Sequence, residues 1–211
     1  MTKVKICGIT KMEEVGYINK YLPEYAGFVF AESRRRVTPE LAARLGAEMA
    51  PSVKKVGVFA DHDLRVVAHA AEIAGLDAVQ LHGNEDSTFI EGLRSLLIPG
   101  IEIWKAIRMD GNHMPDKAWL QTLDVERLLL DTYVAGKPGG TGKSFDWRLV
   151  SQLGTALPVV LAGGLNSDNV SQAIRQASPY AVDTSSGVES GGSKEERKIR
   201  VFIDMVRGGT F

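Results

Sequence analysis

Lys3-Val4-Lys5-Ile6-Cys7-Gly8-Ile9-Thr10-Lys11-Met12-Glu13 is a strand passing directly into a helix. Val4–Cys7 is short and rich in β-branched residues, and Gly8 ends it. Thr10, with Glu13 three residues on, has the spacing of a capping box and is expected to start a helix as its N-cap. Met12, Val15, Ile18 and Leu22 follow at the helical period. The same unit recurs along the chain. Strand-like runs stand at Ala26–Phe30, Lys55–Phe59, Ala78–His82, Ile101–Ile107, Leu128–Asp131, Val159–Ala162 and Tyr180–Thr184. Helical spacing returns between and after them, in Leu64, Val67, Ala68 and Ala71 and in Ile199, Phe202, Ile203 and Val206. Pro39 opens a helix and Pro158 precedes a strand, both permitted positions. The fifth helix is expected to be weak, because Asp110-Gly111-Asn112-His113-Met114-Pro115 forms a loop and little chain remains before Val125.

Eight such strand–helix units predict a parallel α/β fold closed on itself, a single-domain (β/α)8 barrel over residues 1–211. A doubly wound open sheet is the second choice. It would usually carry a glycine-rich fingerprint after its first strand, where Gly8-Ile9-Thr10 stands. No shift in composition divides the chain, and no low-complexity tract interrupts it.

Composition narrows the function classes. The chain is 44% hydrophobic and 24% charged, an ordinary globular profile. A formal net charge of −1 gives no global basic field for nucleic acid. The one basic cluster, Arg34-Arg35-Arg36, is by itself a solvated loop. A single cysteine excludes an intramolecular disulfide framework and a cysteine-based zinc site. Lys3 and Lys5 interrupt any signal-peptide core, and no apolar run approaches the roughly 18 residues that span a bilayer. A cytoplasmic protein with no membrane partner is expected.

In a parallel barrel every strand's C-terminal end reaches the same rim, where (β/α)8 enzymes place their chemistry. The rim residues are Cys7-Gly8, the loop with Ser33-Arg34-Arg35-Arg36, Gln80-Leu81-His82-Gly83, Asp131, Gly139-Gly140-Thr141-Gly142-Lys143, Ala162-Gly163-Gly164, and Asp183-Thr184-Ser185-Ser186-Gly187. Gly163-Gly164 and Ser185-Ser186-Gly187 follow the last two strands, where barrels commonly hold phosphate, and Gly142 is a further source of N–H donors. Gly142-Lys143-Ser144 ends like a nucleotide P-loop, but the pattern needs glycine where Lys137 stands, which removes an ATPase reading. His62, His69, His82 and His113 show no metal-ligand spacing, so His82 reads as a satisfied histidine rather than a ligand, and no metal is expected. A lone cysteine is most often an inert buried side chain. Cys7, however, faces a helix start that favours a thiolate. Asp131 is either a structural cap or an acid–base group, and a thiol on the same rim favours the second reading.

Taken together, these segments resemble the phosphoribosylanthranilate isomerase family of tryptophan biosynthesis. The resemblance spans nearly the whole chain. It rests on Lys5-Ile6-Cys7-Gly8-Ile9-Thr10, Gly27-Phe28-Val29-Phe30, Val56-Gly57-Val58-Phe59, Gln80-Leu81-His82-Gly83, Leu128 to Asp131, Gly139-Gly140-Thr141-Gly142 with Phe145-Asp146-Trp147, Leu161-Ala162-Gly163-Gly164-Leu165, and Asp183 through Glu189. It implies a (β/α)8 barrel that uses no cofactor and no metal. The implied reaction is the Amadori rearrangement of N-(5′-phosphoribosyl)anthranilate to 1-(2-carboxyphenylamino)-1-deoxyribulose 5-phosphate. Carried over by motif, the general base falls on Cys7 and the general acid on Asp131. The arginine of a Ser-x-Arg motif falls on Arg35, with Arg34 and Arg36 as competing neighbours. His82, Gly142, Gly163, Gly164, Asp183, Ser185 and Ser186 complete the implied substrate site. Such an enzyme is a monomer or a homodimer with a small-molecule substrate.

The residue types suit that chemistry. An acid must protonate the ribose ring oxygen, and a base must then take the C2′ proton. The acid needs a raised pKa and the thiol base a lowered one. Lys5 lies on the same strand face as Cys7 and is placed to help. Arg35 offers a guanidinium to the anthranilate carboxylate. The competing readings are the related histidine-pathway isomerase, a dual-substrate isomerase, and a barrel that binds a sugar phosphate without catalysis. The first is expected to carry aspartate in place of Cys7 and a second phosphate site. The last has no need of Cys7 and Asp131 together.

Overall fold

The computed structural model describes residues 1–109, 115–132 and 146–208. Eight parallel strands close into a barrel in the order of the chain: β1 Lys3–Cys7, β2 Tyr25–Val29, β3 Lys54–Phe59, β4 Ala78–Leu81, β5 Glu102–Met109, β6 Arg127–Thr132, β7 Val159–Leu161 and β8 Ala181–Thr184. β8 pairs back onto β1, with Lys5 opposite Asp183. Helices α1 Met12–Tyr21, α2 Pro39–Ala47, α3 Leu64–Ala74, α4 Ser87–Leu96 and the short α5 Lys117–Thr122 follow the first five strands. After β6 the described chain carries only a 3-10 helix, Trp147–Gln152. α6 Val170–Ala177 and α7 Glu196–Val206 complete the ring. A two-stranded hairpin, β9 Glu189–Ser190 and β10 Ser193–Lys194, lies between β8 and α7. No helix among the described residues is long and apolar enough to cross a membrane.

Both faces of a barrel strand are buried, which is why the strand runs read as continuous apolar segments. Side chains from alternate positions fill the inside: Tyr25, Val56, Ala78, Trp104, Leu129, Val160 and Ala181 form one packed cluster. The intervening positions, such as Ala26, Phe28, Leu128, Leu130 and Val182, face outward and pack under the helices. At the N-terminal end the barrel is closed by Arg127, whose guanidinium stands 5.2 Å from the Trp104 ring and 4.6 Å from that of Tyr180. Burying that charge is tolerable because Glu102 pairs with it. The open end is therefore the C-terminal one.

All eight expected strands are present, with ends moved by one or two residues. The start of α1 differs from the expectation. Its N-cap is Lys11, one residue later than Thr10, and the carboxylate that reaches back is Glu14 rather than Glu13. Glu14 Oε2 accepts from the backbone N–H of Thr10 at 2.7 Å and of Lys11 at 3.2 Å. Glu14 is also buried, and its Oε1 accepts from the N–H of Lys194 at 3.0 Å. The capping position is thus set by a tertiary contact that also fixes the hairpin. α2 starts as expected, with Thr38 accepting from Leu41 N and Pro39 in the first turn.

Candidate active site

Cys7 is the last residue of β1 and Asp131 the last but one of β6. Parallel strands put both on the C-terminal rim, and around the closed barrel only β7 and β8 lie between their strands. Those are the strands that end in Gly163-Gly164 and Ser185-Ser186. The expected base and acid therefore flank the expected phosphate loops.

On the β1 side the groups interlock. Cys7 is 8% exposed, and Lys5, fully buried on the same strand face, is the charge that most lowers its thiol. Lys5 Nζ also donates to Asp183 Oδ1 at 3.0 Å. Burial works against the Lys5 charge, but Asp183 and Cys7 together outweigh it and hold the ammonium above its ordinary range. Burial also pushes the Cys7 thiol up, further than the ammoniums of Lys5 and Lys194 pull it down. This corrects the expectation of a thiolate favoured by the helix start. The N–H groups there are taken by Glu14, and desolvation of a charged sulfur dominates. Asp183, expected at the substrate, uses its carboxylate to hold Lys5.

The hairpin after β8 ties the arginine loop to this cluster. Arg35 grips Glu189 with two hydrogen bonds, Nε to Oε1 at 2.6 Å and an Nη to Oε2 at 2.8 Å. Arg34 adds a third to Oε2 at 2.6 Å, and Lys194 donates to Oε1 at 2.7 Å. Burial opposes the Glu189 charge, but Arg35 and Lys194 hold its carboxyl below the usual range. Burial lowers the Lys194 ammonium, and Glu189 offsets this only in part. Lys194 also reaches Ser185 Oγ at 3.2 Å, and that hydroxyl donates to the Cys7 carbonyl at 2.9 Å. Arg36 stands apart, 3.5 Å from exposed Glu32 and lining a cavity between α2 and α3 with Phe30 and Phe59. Of the three arginines, Arg35 is the one packed against Gly8 at the barrel mouth.

On the β6 side, His82 Nε2 lies 3.1 Å from Asp131 Oδ2, and His82 Nδ1 lies 3.0 Å from Gln80 Nε2. His82 is a satisfied histidine, as expected, and its partner is the expected acid. Beneath it Lys105 and Glu85 form a buried pair at 2.7 Å. Lys105 also donates to the Gly83 carbonyl at 2.7 Å, and Glu85 accepts from the N–H groups of Asp61 and Gly83. The loop carrying His82 is thus fixed from below. Among the described residues no group of three or more His, Cys, Asp or Glu is placed to hold a metal ion.

Between these two sides the phosphate-loop candidates meet. Gly163 and Gly164 take φ +86° and +71°, a left-handed turn that side chains disfavour. Ser186 opens a one-turn 3-10 helix, and the loops of β7 and β8 touch through Thr184 Oγ1 and the Leu165 carbonyl at 2.7 Å. A Cβ on Gly187 would fall 2.0 Å from that same carbonyl oxygen, so glycine is what lets the two loops close. Gly142, with the rest of Gly139–Phe145, lies outside the described residues.

Sequence reasoning named the ends of these networks and missed their middles. Glu189 lies at the end of a quoted motif but was given no role, and Lys194, Lys105 and Glu85 carry no motif; all four are buried charges in the folded barrel. Gln80 was visible as the polar residue of an inward-facing apolar strand.

A closed parallel barrel with a buried cysteine, a lysine–aspartate pair and a carboxyl–imidazole contact gathered at its C-terminal mouth defines a protein of the (β/α)8 class. The particular family follows from comparison with known proteins. A family model of N-(5'-phosphoribosyl)anthranilate (PRA) isomerase matches residues 4–205. The N-(5'-phosphoribosyl)anthranilate isomerase of Acetivibrio thermocellus is 45% identical over 98% of this chain and 96% of its own. The crystal structure of phosphoribosyl anthranilate isomerase from Thermus thermophilus superposes with a TM-score of 0.85 at 32% identity, covering 98% of this chain and 99% of that one. Another, described as the enzyme in complex with reduced 1-(o-carboxyphenylamino)-1-deoxyribulose 5-phosphate, superposes at 0.80 and 32% identity over 99% and 100%. The chain belongs to the phosphoribosylanthranilate isomerase family and is an isomerase of tryptophan biosynthesis.

Proposed function

We propose that this barrel mouth carries out the Amadori rearrangement of N-(5′-phosphoribosyl)anthranilate, with Asp131 as general acid and Cys7 as general base. The observation that carries the assignment is their placement on one rim, each beside a group that serves its role: Lys5 next to Cys7 and His82 next to Asp131. Asp131 donates a proton to the ribose ring oxygen, the C1′–O bond breaks, and a protonated Schiff base forms. Cys7 then takes the C2′ proton, and the C2′–H electron pair forms the enolamine. Tautomerisation of the enolamine gives the ketone. Burial keeps the thiol protonated in the resting site. The cationic Schiff base is a further positive charge near the sulfur, added to Lys5 and Lys194, and it both acidifies C2′–H and favours the thiolate at the moment it is needed.

The substrate's two anionic ends have complementary places. Backbone N–H groups of the loops at Gly163, Gly164, Ser185 and Ser186 are the proposed phosphate cradle, with Gly142 as a further contributor. The anthranilate carboxylate is assigned to Arg35. Because Arg35 is already paired with Glu189, the carboxylate must share or exchange that guanidinium, so Glu189 sets its position before substrate arrives. No cofactor enters this scheme.

Purified protein in a fluorescence assay that follows loss of phosphoribosylanthranilate tests the proposal. Cys7→Ser and Asp131→Asn should each lower kcat by about 10²–10⁴-fold, the range of a positioned acid or base. Circular dichroism should confirm that both variants fold. A Cys7→Ser enzyme with near-normal kcat would make the cysteine a packed side chain only.

A further inference from the structure

Gln80 is 1% exposed and sits on β4 with its side chain inside the barrel, two residues on from Ala78 of the inner cluster. One end of its amide faces His82 Nδ1 at 3.0 Å. The other end, Oε1, is buried and has no hydrogen-bond partner among the described residues. Leaving a buried amide oxygen unpaired costs about 1–3 kcal/mol. A position of this kind inside an active site calls for a role, because an apolar side chain would fit without that cost.

We propose that Gln80 is a positioning residue that selects the tautomer of His82 and, through it, whether Asp131 holds or has released its proton. The inference rests on the assignment of Asp131 as general acid. Its logic is a count of donors and acceptors. With the amide nitrogen toward His82, Nδ1 must accept, so the ring proton is on Nε2 and is donated to Asp131. That is the discharged dyad, with a carboxylate. With the amide turned about its last bond, Oε1 accepts from an Nδ1–H, and Nε2 is free to accept from a protonated Asp131. That is the loaded dyad, with one proton more. Asp131 passes its proton to the ribose ring oxygen; His82 then takes a proton from solvent on Nε2 and gives its Nδ1 proton back to solvent as the amide turns, and reloading reverses both exchanges and returns one proton to Asp131. The two amide orientations have nearly the same shape. Among the described residues no third group anchors the far end of the amide, so both orientations are open to it and each admits only one His82 tautomer.

Among the described residues, the surrounding charges are engaged elsewhere. Lys105 and Glu85, beneath the loop, neutralise one another. Asp61, on the loop after β3, is engaged with Asn84. Arg108 of β5 stands opposite Asp131 in register and reaches the His82 carbonyl, not its ring, at a long 3.5 Å. The His82 backbone is fixed by its N–H to the Phe59 carbonyl at 2.7 Å. Among the described residues, the Gln80 amide is the hydrogen-bond partner of Nδ1.

The test uses the full chain with 15N-labelled histidine. In the resting wild type the His82 ring nitrogens should report Nδ1 as the unprotonated one at alkaline pH. Gln80→Met, nearly isosteric and unable to hydrogen-bond, should give mixed tautomers for His82. It should lower kcat about ten- to a hundredfold, the scale for losing an outer partner of a functional histidine, with KM within about twofold. Gln80→Glu can only accept while ionised, so it should favour the loaded dyad and move the alkaline limb of the kcat/KM profile to higher pH. Unchanged His82 nitrogen shifts in Gln80→Met, or unchanged kcat with an unmoved profile in both variants, overturns the inference. Should one variant fail to fold, the other carries both readouts. If Asp131→Asn keeps its activity, it is the assignment of the acid that fails. The nitrogen shifts still report on the Gln80–His82 pair in that case, so the two failures are distinguishable.

Discussion

Lys5→Met removes the ammonium that pairs with Asp183 and lowers the Cys7 thiol. Its side chain is fully buried, that of Asp183 is 10% exposed, and the ion pair spans 3.0 Å. Methionine restores most of the volume, so the loss is electrostatic. Removing one partner of a buried pair strands the other charge and costs about 3–5 kcal/mol. In a chain of this size each kcal/mol moves the thermal midpoint by roughly 2–4 °C. A fall of about 6–20 °C is therefore expected by differential scanning calorimetry. The double variant Lys5→Met/Asp183→Leu removes both charges and should recover most of that loss, because no charge is left unpaired. The same substitution has a second readout at Cys7. Burial raises the thiol, and Lys5 is the strongest influence pulling it back. Without Lys5 the thiol should ionise at still higher pH. The pH midpoint of Cys7 alkylation by iodoacetamide should move upward. The shift is read from the shape of the pH dependence rather than from the absolute rate, which also depends on access. A single variant that keeps its thermal midpoint within about 2 °C refutes the claim that the pair is a buried, mutually dependent unit. A midpoint of alkylation that stays put or moves down refutes the coupling to Cys7.

Two further substitutions test the scaffold around the site. Glu85→Ala leaves the Lys105 ammonium and the N–H groups of Asp61 and Gly83 without their acceptor, so about 3–5 kcal/mol of stability should be lost in urea titrations, and kcat should fall because the loop carrying His82 is loosened. An unchanged urea midpoint would mean that another group supports the loop. Gly187→Ala drives a methyl group against the Leu165 carbonyl and should part the loops of β7 and β8. KM should rise and competitive inhibition by inorganic phosphate should weaken in steady-state assays, while unaltered inhibition removes those loops from the phosphate site.

The barrel was legible in the sequence because its cause is local and repeated. Each strand is buried on both faces and each helix on one, so burial writes continuous apolar runs, eight of them, with helical stripes between most of them. The weak fifth helix followed from the loop-forming residues before it, and only six helical residues are present in α5. Closure in parallel order then fixes the rim. That is why Cys7, Asp131, Gly164 and Ser186 fall at one end of the barrel although they are far apart in sequence. What the sequence could not determine is how charges from distant segments neutralise one another. Thr10 and Glu13 have the spacing of a capping box, yet Glu14 takes the cap because its second oxygen is held by the N–H of Lys194, 180 residues away. The ionisation of Cys7 is likewise set by distant groups. A helix start nearby argues for a thiolate, but the sulfur is desolvated by the whole barrel, and that sum over surroundings exceeds the pull of Lys5 and Lys194. Arg35 was identified by its motif, while its grip on Glu189 depends on a hairpin folding back from the far end of the chain. Local pattern sets which groups reach the rim. Burial and long-range pairing, which exist only once the barrel is closed, set their charge and orientation.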